Sequence, residues 1–95
     1  MEKFNEVLEK NFEKLEQYVP VVARVHGGSH PEFHDVKRVY EGLSLKIQEK
    51  DTKNLKEDFS ALRDFTNNYT VPSDVCETYE AVYDMLKELD QSYTN

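Results

Sequence analysis

Residues 4–26, FNEVLEKNFEKLEQYVPVVARVH, decide the fold. Phe4, Leu8, Phe12, Leu15, Val19, Val22 and His26 recur at steps of four and three, the spacing that lines side chains along one face of an α-helix. Glu2, Lys3, Glu9, Lys10, Glu13 and Lys14 fall largely on the other faces. His26 therefore closes the apolar stripe at its C-terminal end. Pro20 lacks the N–H that would bond the carbonyl of Glu16, so a kink or break is expected there, although the apolar register carries through. Gly27-Gly28 is expected to end the helix, because glycine takes the left-handed conformation of a C-cap without steric cost.

Three further helical stripes follow. Ser29 and Glu32 have capping-box spacing, with Pro31 tolerated in the first turn, ahead of Phe33, Val36, Tyr40, Leu43 and Ile47. Asp51 or Thr52 is the expected cap of a third helix carrying Leu55, Phe59, Leu62, Phe65 or Thr66, and Tyr69, closed by Asn67-Asn68 and Pro72. A fourth is expected from Ser73 or Asp74, with Val75, Tyr79, Val82, Leu86, Leu89 and Tyr93 inward and Cys76, Tyr83 and Met85 flanking. Glu77, Glu80, Asp84, Glu88 and Asp90 lie mostly outside that stripe. The expected architecture is all-α: one domain over residues 1–95, an antiparallel bundle of about four helical segments with short loops.

Composition narrows the function classes. A 95-residue chain makes one domain with a modest core. Its net charge of -7 leaves no basic excess to displace counterions, so neither nucleic acid nor an anionic membrane is an expected partner. Cys76 is the single cysteine, which precludes an intrachain disulfide. With no long apolar run and no signal-like amino terminus, the expected location is cytoplasmic. No nucleophile–base pair, phosphate loop or paired inward carboxylate is visible, so an enzyme is not the expectation.

Two separated segments resemble a known family. Val21-Val22-Ala23-Arg24-Val25-His26-Gly27 with His30-Pro31-Glu32, and later Thr66-Asn67-Asn68-Tyr69-Thr70-Val71-Pro72 through Cys76 and Tyr79, are similar to the iron-sulfur cluster repair di-iron proteins. The resemblance implies a bundle that is hemerythrin-like in part, and a stress-related role in mending damaged iron-sulfur centres. It also implies that His26 matches a ligand of a non-haem di-iron centre. The long form of that family adds two H-x-x-x-E elements; this chain has Leu43 to Lys50 where the first would stand and reaches Asn95 where the second would follow. The expectation is a shortened member that binds or delivers iron, without a complete di-iron site in one chain.

The candidate metal ligands are His26, by resemblance, and His30 and His34, whose four-residue spacing could set two imidazoles on one helical face. Each has a plainer alternative. His26 at a helix C-terminus suits the macrodipole and the exposed carbonyls, and His30 and His34 sit beside the stripe, where solvated or capping roles are common. Cys76 matches a family cysteine that is not an iron ligand, and by its position it reads as a small buried side chain near a helix start. Partners on this reading are iron-sulfur client proteins, another protein chain or a second copy of this one. The alternative function is a metal-free helical module that binds or regulates a protein partner.

Overall fold

In the computed structural model, which describes residues 2–94, the chain is all-α, with helices α1 (Glu2–His26), α2 (Glu32–Gln48), α3 (Lys56–Phe65) and α4 (Glu77–Thr94). At 1.5 Å rise per residue α1 is about 37 Å long, close to the 35 Å long axis of the molecule. Helices α4 and α2 pack on it, and α3 packs on α2. Phe4 at its start meets Tyr93 near the end of α4, Asn11 meets Glu88, and His26 at its end meets Cys76 and Tyr79 at the start of α4. These three meetings fix α1 and α4 as antiparallel. Tyr40 and Ser44 of α2 donate hydrogen bonds of 2.6 and 2.9 Å to Glu16 of α1, while Lys46 reaches Asp58 of α3 at 2.8 Å.

The α1 stripe is rotated slightly from the expected one. Phe4, Leu15, Val19 and Val22 are buried, but Val7, Asn11 and Ala23 join them, and Leu8 and Phe12 are only partly covered. Asn11 is tolerated inside because its amide donates to the Glu88 carboxylate at 3.0 Å. Helix α1 is continuous through Pro20 rather than broken. Pro20 is exposed, so water can satisfy the Glu16 carbonyl that the missing N–H leaves free. The core is aromatic at both ends: Phe4, Phe59 and Tyr93 cluster at one, Phe33, Tyr79 and Tyr83 at the other. Between them Leu62, Val82, Leu86 and Leu89 are fully buried.

The helix ends depart from the expected capping in four places. Neither Gly27 nor Gly28 is left-handed; the His26 carbonyl instead accepts N–H groups from Ser29 and His30 at 3.1 and 2.8 Å. Ser29 makes no capping bond, since α2 starts one residue after Pro31, whose φ of -62° already suits a helix. Leu55, not Asp51 or Thr52, precedes α3; Lys50 takes φ 62° and closes α2 with a Schellman pair, its own N–H on Ile47 and that of Asp51 on Lys46. Helix α4 begins at Glu77, beyond Ser73 and Asp74. Asn67 caps α3 in the same Schellman manner, but Asn68 and Tyr69 stay left-handed after it, at φ 60° each. The Thr66 hydroxyl supports that turn, accepting the Tyr69 N–H at 2.8 Å while donating to the Leu62 carbonyl at 2.6 Å.

Candidate metal-handling site at the histidine pole

The chain reverses twice at one pole of the bundle, and both reversals carry polar side chains. The 27–31 corner leaves α1 at His26, and the 66–76 connection delivers Asp74 and Cys76 to the start of α4. His26 is partly buried, and its ring stands edge-on to Tyr79 with centroids 5.3 Å apart. Its Nε2 lies 3.1 Å from Cys76 Sγ. No such pairing of a thiol with a base was expected from the sequence. Cys76 itself is exposed, not the small buried side chain anticipated, because it precedes the first turn of α4 and the inward positions of that turn go to Tyr79.

His30 is held from both sides. Its Nδ1 is 3.0 Å from Glu32 and its Nε2 2.9 Å from Asp74, so both ring nitrogens donate to carboxylates when the ring is protonated. Its pKa is raised above the ordinary histidine value, chiefly by the Glu32 hydrogen bond, opposed by desolvation and reinforced by Asp74. Tyr79 packs against this ring too, with centroids 5.6 Å apart. The clasp ties the α1–α2 corner to the α3–α4 connection. His34 is exposed on α2, and its imidazole closes over Gly27, where any β-carbon would collide with it.

The three histidines thus gather near one pole without converging. His30 precedes α2 instead of belonging to it, so it does not share a helical face with His34. The solvated role expected of His30 is corrected as well, since its side chain is only 14% exposed and fully engaged. Among the described residues no three His, Cys, Asp or Glu side chains form a group able to hold a metal ion. What the pole offers is a nitrogen and a sulfur side by side, with the Glu32 and Asp74 carboxylates bonded to His30. Asp74 and Glu32 as partners of His30 were not foreseen: Asp74 has the same short polar character as a helix cap, and the 44 residues between it and His30 hide the pairing.

Other polar features lie elsewhere. A cleft of about 450 Å³ between α1 and α2 is lined by Glu16, Val19, Tyr40 and Ser44, midway along the bundle. At the far end of α4 Asp90 is buried, although it was expected outside the inward stripe. Tyr69 Oη donates to its Oδ2 at 2.8 Å, and Arg63 Nε stands 2.9 Å from the same oxygen.

An all-α bundle with an imidazole–thiol pair at one pole is the class of protein these observations define. The chain is 25% identical over 126 aligned positions to the iron-sulfur cluster repair protein ScdA of Staphylococcus haemolyticus, covering 94% of this chain and 55% of that protein. It spans about half the length of this curated relative. As 126 aligned positions exceed 95 residues, at least 31 of them are gaps in this chain. No protein-family profile matches the chain, and no solved structure matches it. Among the described residues no helix is long and apolar enough to cross a membrane.

Proposed function

We propose that this protein acts in the repair of iron-sulfur clusters, carrying iron as a transient cargo at the pole where His26 meets Cys76. The similarity to a cluster repair protein supports the process. The observation that carries the site is the 3.1 Å approach of His26 Nε2 to Cys76 Sγ at an exposed position. An imidazole nitrogen and a thiolate are both ligands for ferrous iron, and a pair at the surface can release what it binds to a client. Asp74 and Glu32, carboxylates at the same pole, are engaged with His30.

A resident iron pair is not part of this proposal, because the residues present do not fit one. Carboxylate-bridged pairs in helical bundles draw several glutamates and histidines into the interior from different helices. Here the rings of His26 and His30 both pack on Tyr79, Glu32 and Asp74 are bonded to His30, and the buried Asp90 sits at the opposite end against Arg63 and Tyr69. A second reading, a metal-free module that docks a protein partner, is favoured by Val25 and Leu45, which are 64% and 59% exposed.

A reconstituted repair assay tests the first reading. A hydratase whose cluster has been damaged by peroxide is incubated anaerobically with ferrous iron and reductant, with and without this protein. The wild type is expected to speed recovery of hydratase activity and His26→Ala to do so less. Recovery no faster than with iron and reductant alone sinks the proposal.

A further inference from the structure

The cleft of about 450 Å³ between α1 and α2 has an apolar strip with nothing against it. Val19 and Pro20 of α1 and Leu45 of α2 line it, and Leu45 is 59% exposed. Phe12 stands seven residues before Val19, hence within about 20° of it around the helix. It is only partly covered, so the strip continues two turns further along α1.

Beside that strip runs an acidic one. Glu2, Glu9 and Glu16 are spaced by seven, and so are Glu6 and Glu13, which places five exposed carboxylates in two neighbouring rows along α1. Glu16 belongs to the cleft wall itself, held there by the hydroxyls of Tyr40 at 2.6 Å and Ser44 at 2.9 Å. Each step from Glu2 through Glu6, Glu9 and Glu13 to Glu16 is three or four residues, the spacing at which like charges on a helix repel. Among the described residues none of the five is in an ion pair, and Lys10 approaches Glu88 of α4 instead. On the opposite wall Lys37 is already engaged by Glu41 at 2.9 Å.

An occupant of this cleft must be apolar on one side and cationic beside it. Nucleic acid and anionic membranes carry the wrong charge, and among the described residues there is no sheet edge for an extended peptide to join. The carboxylate rows repeat every seven residues, about 10.5 Å along the axis, which is also the repeat of side chains on a second helix laid alongside. We propose that the α1–α2 cleft receives the apolar face of a basic amphipathic helix from a partner protein, with the lysines or arginines of that helix on the glutamate rows of α1. Apolar anchors in the cleft supply the affinity, and the flanking charges set the register. The proposal deepens the protein-docking reading and rests on it, not on iron handling.

Fluorescence anisotropy with three labelled 18-residue peptides, in about 150 mM salt to screen diffuse attraction, tests the inference on the whole chain without iron. The first peptide has a leucine stripe at helical spacing and lysine elsewhere, the second has glutamate for each lysine, and the third scrambles the first so that the stripe is lost. The first is expected to bind one-to-one, the third at least about tenfold more weakly, and the second not at all. Leu45→Ser, an exposed change, is expected to weaken the first peptide about tenfold, the worth of one buried leucine contact. Glu9→Gln with Glu13→Gln is expected to weaken it several-fold, whereas Glu77→Gln with Glu80→Gln, on α4, leaves it unchanged. No binding of the first peptide overturns the docking reading together with the cleft. Binding that ignores Leu45→Ser, or that falls as much with the α4 changes, overturns the cleft alone, and equal binding of the scrambled peptide marks diffuse acidity. A dimer in sedimentation that Leu45→Ser dissolves assigns the cleft to a second copy of this chain and overturns the proposed partner.

Discussion

His26 Nε2 and Cys76 Sγ stand 3.1 Å apart across fifty residues of sequence, at the point where α1 ends and α4 begins. The antiparallel packing of these two helices brings the pair together, and Tyr79, fully buried beside His26, fixes the angle of its imidazole. The fold thus supplies the first two ligands of the proposed cargo site, one from the last residue of α1 and one from the end of the 66–76 connection.

Because Cys76 is exposed, a maleimide is expected to label it to completion under native conditions. Ferrous iron added anaerobically is expected to slow that labelling, and His26→Ala to remove most of the protection. Labelling followed by intact-mass spectrometry gives the rates. Equal rates with and without iron would show that the thiol takes no part in binding.

The core makes a second prediction. Leu62 and Leu86 are completely buried on α3 and α4, so truncating either to alanine removes apolar contact and leaves a cavity. Each change is expected to cost about 2–5 kcal/mol, read from urea denaturation. A loss below about 0.5 kcal/mol, the range of surface substitutions, would place the residue outside the core.

How much of this was legible in the sequence differs by feature. The inward positions of α2, α3 and α4, from Phe33 and Tyr40 to Leu62 and Leu86, follow the helical period because burial of one face is what periodicity records. Capping at Ser29, Asp51 and Asp74 failed for one shared reason. Each residue has the chemistry of a cap, but a Schellman turn at Lys50, the set φ of Pro31 and the His30 bond to Asp74 satisfied the backbone or the side chain otherwise. Asp90 and Asn11 were missed because each is made tolerable by partners far away in sequence, Arg63 and Tyr69 for one and Glu88 for the other. The histidine pole was visible only as three histidines; their partners are tertiary.

The His30 clasp makes stability depend on pH. Its folded pKa lies above the unfolded value of about 6.5, so its contribution is fully present below that pH and disappears as pH rises through the folded pKa. The stability advantage of the wild type over His30→Gln is expected to be largest near about pH 5.5 to 6 and to shrink steadily towards about pH 8.5. Denaturation midpoints of both proteins across that window give the difference directly. An advantage that grows with pH would mean that His30 is held neutral.

The central claim is that this bundle carries iron loosely through His26 and Cys76 and does not house a resident iron pair. Anaerobic titration with ferrous iron, followed by gel filtration and metal analysis of wild type and His26→Ala, tests it most directly. About one iron per wild-type chain is predicted, readily removed by a chelator and absent from His26→Ala. Two irons per chain that survive the chelator, or no iron bound by either protein, would contradict it.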